Sequence, residues 1–96
     1  MRMKIVSRKI RASANGQTCT LRTNPRCDHD QTVVTCHLSS NYRGMGLKSP
    51  DIFVVHACAY CHADLDSSKV DYKDQMRANQ ETLMRLVRMG LIEVAA

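Results

Sequence analysis

The sequence predicts a small α+β domain held together by a metal ion, and three observations carry the prediction. Cys19 and Cys27, then Cys58 and Cys61, form two thiol pairs that could close on one tetrahedral ion. Residues 31–38 and 51–56 are short runs rich in β-branched side chains, the composition of strands. Residues 71–89 are dominated by helix formers, with Tyr72, Met76, Leu83, Leu86 and Val87 sharing one predicted face.

A chain of 96 residues is expected to form one domain, read as a basic arm over 1–12, a metal-held core over 17–68 and a C-terminal helix over 71–89. With one Phe, three Tyr and no Trp, the large side chains that dominate small cores are scarce, so a structural metal would supply missing stability. The five cysteines are an odd number, and the first ten residues lack a signal-peptide pattern. Both features point to the cytoplasm, where cysteines bind metal more often than they pair as disulfides. No apolar run approaches the roughly 20 residues a membrane-spanning helix needs, so no membrane role is expected.

The net charge of +5 is unevenly spread: residues 1–48 carry +7 and residues 49–96 carry −2. The basic half is the expected phosphate-facing half, although a merely solvated basic face would look the same. Arg2, Lys4, Arg8, Lys9 and Arg11 cluster at the start, as a short strand, a short helix or an arm that orders on nucleic acid.

The remaining elements follow in order. Turn residues at 13–16 and Asn24-Pro25 bracket the first thiol pair, whose seven-residue gap is wider than usual and requires a small hairpin or loop. His29 could replace a cysteine as ligand, or be a solvated loop histidine between Asp28 and Asp30. In the first strand, alternation sets Val34, Cys36 and Leu38 on the apolar face, making Cys36 a buried core thiol, and turns His37 the other way. Residues 39–50, with two glycines and a proline, read as a loop whose Tyr42, Arg43 and Lys48 suit nucleic acid. The second strand leads into His56-Ala57-Cys58-Ala59-Tyr60-Cys61-His62, where a short helix should begin and run to about Asp66 before Ser67-Ser68 ends it. Gly90 suits the C-terminal cap of the long helix.

Cys19, Cys27, Cys58 and Cys61 are the expected ligands of a structural zinc. A dithiol redox site would want a βαβ setting that residues 58–61 lack. Residues 58–62 also spell the c-type haem attachment pattern, but haem would leave Cys19 and Cys27 without a role. His37, Asp51 and His62 occur in the order needed for a metal-dependent hydrolase: an imidazole to take a proton from water and a divalent ion to stabilise charge on a phosphate. Each of the three also has an ordinary structural reading, as a strand histidine, a turn or cap residue and a helix histidine; the arrangement around the thiols is what favours chemistry.

The order of two cysteines, a strand ending in His37, a glycine-bearing loop, Asp51 and Cys58 to His62 resembles the HNH, or ββα-metal, endonucleases with a zinc knuckle, a treble-clef-like architecture. Within that group the chain resembles a small lambdoid phage and prophage family of inferred nucleases, the YbcO-like proteins. The likeness covers about residues 8–93 and is strongest at Cys19 to Cys27, Cys36-His37-Leu38, Gly44 to Asp51 and Cys58 to Asp66.

The resemblance implies that His37 is the general base, that His62 and Asp51 hold a catalytic Mg²⁺ or Mn²⁺, and that the four cysteines hold zinc. Asp51 stands where the group has an asparagine, and Cys36 stands where many members place a metal ligand, which implies weak metal binding, recruitment of His56 or Asp66 instead, or loss of activity. The expected activity is hydrolysis of DNA phosphodiesters, with Arg8, Lys9, Arg11, Arg43 and Lys48 gripping the backbone. The rival expectations are a non-catalytic zinc module that binds DNA or a recombination partner, and a zinc-held protein-interaction scaffold.

Overall fold

A computed structural model describes residues 5–40 and 49–95. The element order is α1 (Arg8–Arg11), β1 (Val34–His37), β2 (Val54–Ala57), α2 (Ala59–Asp66) and α3 (Tyr72–Arg88). The strands pair antiparallel, setting Val34 opposite Ala57, Thr35 opposite His56, Cys36 opposite Val55 and His37 opposite Val54. The result is a small α+β fold with a two-stranded sheet.

Both strands are shorter than their β-branched runs because turns take the ends. Asp28 accepts hydrogen bonds from the Gln31 amide at 3.2 Å and the Thr32 hydroxyl at 2.5 Å, so residues 28–32 form a turn ahead of β1. The Phe53 amide donates to the Pro50 carbonyl at 2.9 Å, which curls the chain ahead of β2. Cys36 is buried as alternation predicts, whereas Val34, assigned to the same face, is exposed at the outer end of the ladder.

Strand β2 is buried along its whole length. Val55 and Ala57 join a core with Leu21, Cys36, Val70, Ala78 and the ligand cysteines, while Val54 joins a second core with Ile10 and Leu86. His56 carries the polar load of this strand. Its Nε2 lies 2.9 Å from the Ser13 hydroxyl and its Nδ1 lies 3.2 Å from an Arg85 guanidinium nitrogen. Burial, reinforced by the Arg85 charge, pushes the His56 ring down to about 4, so the core holds it neutral. With Nδ1 accepting from Arg85, the ring proton sits on Nε2 and faces Ser13, which in turn donates to the Ile10 carbonyl at 2.6 Å.

Helix α2 starts at Cys58, and its first amide, Ala59, donates to the Thr32 hydroxyl at 2.8 Å. It ends at Asp66 as expected, with Ser67 capping and Ser68 at φ 58°. Helix α3 is capped by the Asp71 carboxylate on the Lys73 amide and followed by Gly90 at φ 75°, a left-handed turn that suits glycine.

The buried face of α3 is only partly the one its hydropathy suggests: Leu86 is buried and Leu83 packs half-buried against the second core. Tyr72, Met76 and Val87 are exposed, and the residues turned inward are Ala78, Thr82 and Leu86. The reason is polar: the Asn79 amide nitrogen donates to the carbonyls of Ile52 and Val54 at 3.1 and 2.9 Å, and the Thr82 hydroxyl accepts from the His56 amide at 3.4 Å. Small and hydrogen-bonding side chains let the helix lie against the β2 backbone, and this outweighs burying Tyr72, Met76 and Val87.

Candidate functional site

The four cysteines predicted as ligands converge. The ligand sulfurs of Cys19, Cys27, Cys58 and Cys61 all lie within 4.8 Å of one another, three of them on buried residues. A tetrahedral ion with metal–sulfur bonds of ~2.3 Å requires sulfurs ~3.8 Å apart, and the sulfurs of Cys58 and Cys27 stand at 3.7 Å. The fold builds this cage from both ends: Cys58 follows directly on β2, Cys61 lies one turn into α2, and the Cys19 amide is fixed by the His29 carbonyl at 2.6 Å. Burial, with the neighbouring Cys58 and Cys19 sulfurs adding to it against a backbone hydrogen bond, pushes the Cys27 thiol up to about 12. A cation in the cage would reverse this by favouring thiolates. The four cysteines can therefore hold a metal ion such as zinc. His29 contributes its backbone carbonyl to the cage from a left-handed φ of 67°.

A second cluster forms around Asp51. His37, at the end of β1, places Nε2 2.7 Å from Asp51 Oδ1. The other carboxylate oxygen accepts from the Ser7 amide at 2.6 Å and from Arg11 Nε at 2.8 Å. The Asp51 side chain is 0% exposed, so neither oxygen opens onto solvent where a catalytic ion would bind; in this arrangement its partner is His37. Burial opposes its ionisation, but the hydrogen bonds from His37, Ser7 and Arg11 together hold its carboxyl below the usual carboxylate range. Sequence reasoning placed Arg11 on nucleic acid and gave Ser7 no role. The signal for Ser7 was a helix cap: its hydroxyl accepts from the Ile10 amide, and its own amide is thereby turned to Asp51.

A third cluster lies on α2. His62 Nε2 and Asp66 Oδ2, one helical turn apart, are separated by 3.2 Å on an exposed face. Asp66 and His37 both line a cleft of about 280 Å³. Asp66 is therefore the available one of the two substitute ligands considered, because His56 is buried with both ring nitrogens engaged. Cys36 sits in the core, its thiol pushed up to about 12 chiefly by burial. Arg8 and Lys9 are exposed on α1, whereas Arg43 and Lys48 lie outside the described residues.

No helix among the described residues is long and apolar enough to cross a membrane. No curated protein matches this chain. A solved structure described as "a putative bacteriophage protein" from Escherichia coli K-12 substrain MG1655 matches with a TM-score of 0.64 at 24% identity, over 85% of this chain and 100% of that one. At that identity the likeness concerns the fold. The family model described as "Putative nuclease YbcO" matches residues 8–92, nearly the whole chain, and the protein belongs to the YbcO family.

Proposed function

We propose that this protein is a metal-dependent DNA endonuclease of the ββα-metal (HNH) type, with zinc in the four-cysteine cage, His37 as general base and a divalent ion held at His62 and Asp66. The observation that carries the reading is the hydrogen bond from His37 to a fully buried carboxylate, at the edge of a cleft that Asp66 also lines. A Nε2–H donated to Asp51 puts the basic lone pair on Nδ1, the nitrogen that would take the proton from the attacking water. Asp51 fixes the tautomer and ring orientation, while Ser7 and Arg11 keep Asp51 ionised and in place.

The donor set on α2 suits Mg²⁺ or Mn²⁺: one imidazole nitrogen and one carboxylate oxygen, both exposed, with waters and a substrate phosphate able to complete the shell. A cation there would supply positive charge to the scissile phosphate. The cysteine cage, by contrast, offers four sulfurs and no open position, the pattern of a structural site. Arg8 and Lys9, and in sequence Arg43 and Lys48, supply the basic charge for backbone phosphates.

Incubation with supercoiled plasmid and Mg²⁺ or Mn²⁺ tests the reading. Nicked and linear products are expected, with a rate loss of roughly 10²–10⁴-fold in His37→Ala, the usual worth of a general base. An undiminished rate in that variant would remove His37 from the mechanism. A second reading, a non-catalytic zinc module that binds DNA, is favoured by one observation: Cys36, where HNH enzymes often place a metal ligand, is buried in the core. That reading predicts salt-sensitive binding and no cleavage with any divalent ion.

A further inference from the structure

The cleft beside His37 has two chemically different sides. His37, Ser39, Asp66, Ser68 and Gln75 make most of the lining polar, and Asp66 would meet a phosphate only across a cation; Leu65 and the largely buried Val70 add an apolar part, and Tyr72, also in the lining, is 83% exposed. A phosphodiester gains nothing from leucine and valine side chains, whereas the face of a nucleobase does. The apolar side is also well held. The Gln75 side-chain amide donates to the Val70 carbonyl at 2.9 Å, and Asp71 caps α3 immediately before Tyr72. The aromatic ring is thus carried on the first residue of a 17-residue helix rather than on a loose loop.

At about 280 Å³ the cleft is just below the ~300–1,000 Å³ range of small-molecule sites, a size for one nucleotide unit and not for a double helix. In a duplex, stacked neighbours cover both faces of each base, so only an unstacked base can present a face to a tyrosine. Lys69 and Lys73, exposed, flank Val70 and Tyr72 in the chain.

We propose that this cleft seats one unpaired nucleobase against Tyr72, so that the chain acts on nucleic acid that is single-stranded or unstacked at the scissile nucleotide. The proposal rests on the nuclease reading for His37 and adds the substrate class. Binding, measured apart from cleavage, separates the two.

The test uses the full-length, zinc-loaded His37→Ala protein without added divalent ion. Its probes are a single-stranded DNA oligonucleotide carrying 2-aminopurine, the RNA of the same sequence, and the blunt DNA duplex. The single strands are expected to bind with quenched 2-aminopurine fluorescence. Adding Tyr72→Ala should weaken that binding roughly 5- to 100-fold, the usual worth of one base stacked on an aromatic ring. Tyr72→Phe should restore it, and duplex binding should be indifferent to both changes. Equal binding of the single strands by the Tyr72→Ala and Tyr72→Phe forms, or a duplex bound as tightly and quenched as strongly as the single strand, overturns the base seat. Cleavage by the wild-type chain with Mg²⁺ or Mn²⁺ is scored separately, on the plasmid and on the single-stranded oligonucleotide: cleavage beside a Tyr72-insensitive affinity sinks only this proposal, and no cleavage of either substrate sinks the catalytic reading while the binding result decides the base seat. Because Tyr72 is so exposed, its variants should melt with the parent, and a matching melting temperature is the control for folding.

Discussion

Removing either partner of the Arg11–Asp51 pair should destabilise the fold, and removing both should cost less than the sum. Asp51→Asn keeps the shape but cannot serve three donors: the amide has one acceptor oxygen, yet His37 Nε2, the Ser7 amide and Arg11 Nε all point at this side chain. Hydrogen bonds to a charged group contribute ~1.5–3 kcal/mol each. The Arg11 bond must be discounted because that side chain is 43% exposed. A loss of about 2–4 kcal/mol follows for Asp51→Asn, and about 1–2 kcal/mol for Arg11→Met, which leaves the carboxylate with two of its partners. In a domain of this size 1 kcal/mol shifts the melting temperature by roughly 4–8 °C, so Asp51→Asn should melt about 8–32 °C early. The double variant should be less destabilised than the sum by about 1 kcal/mol, as expected of contacting groups. Asp51 also sets an acid dependence. Its folded carboxyl titrates below its unfolded value, so the unfolded chain binds the proton more readily. This stability is present above about pH 4, where an unfolded carboxylate is ionised, and is lost as pH falls through the lower folded value. The wild-type advantage over Asp51→Asn should therefore be full at pH 7 and shrink below about pH 4; both proteins keep the same cysteines, so metal loss in acid acts on both alike. Thermal melts followed by circular dichroism at several pH values check this. Strict additivity in the cycle, or a gap that widens in acid, would refute the linked cluster.

Other outcomes follow from the same geometry. Cys61→Ala should abolish stoichiometric metal in elemental analysis and, because a structural ion contributes folding energy outright, leave the chain largely unfolded at 37 °C by circular dichroism. Asn79→Ala removes both side-chain hydrogen bonds to the carbonyls of Ile52 and Val54 and should cost about 1–3 kcal/mol in urea unfolding, whereas Met76→Ala on the exposed face should change stability by no more than ~0.5 kcal/mol. Gly90→Ala imposes a side chain at φ 75° and should cost about 1 kcal/mol by the same measurement, although nothing lies within 4 Å of the added methyl.

What was legible in the sequence was local or chemically singular. Two thiol pairs could be read as one cage because few other fates suit four cysteines in a small chain, and the ends of α2 and α3 were marked by Ser67-Ser68, Asp71 and Gly90. On α3 hydropathy finds Leu83 and Leu86 but ranks Tyr72 and Met76 above Ala78, Asn79 and Thr82, while the chain beneath offers backbone groups that Asn79 and Thr82 can approach and satisfy. The Arg11–Asp51 bond was illegible for another reason: it joins residues 40 positions apart, and an arginine in a basic run gives no sign that a buried carboxylate awaits it. His56 was offered as a spare ligand on type alone; its register opposite Thr35 on a strand buried along its length turns it into a core hydrogen-bonding residue.

The two candidate centres share one support, and this governs how metal-removal experiments must be read. A ladder of two four-residue strands is too small to be stable by itself. Cys58 follows one end of it, next to the Val34–Ala57 pair, and His37 occupies the other end, opposite Val54. At ~3.4 Å per residue the ends are only about 10 Å apart. Stripping the cysteine-bound ion frees the Cys58 end of β2 and the start of α2, and α2 carries His62 and Asp66. Loss of cleavage after thiol-metal chelation is therefore expected even when that ion never meets the phosphate. Discrimination comes from His62→Ala and Asp66→Asn, whose side chains are 39% and 70% exposed and supply no sulfur to the cage. They should raise the Mg²⁺ or Mn²⁺ concentration needed for cleavage while leaving bound zinc and melting temperature as they were. An unchanged Mg²⁺ or Mn²⁺ requirement in both variants would place the catalytic cation elsewhere.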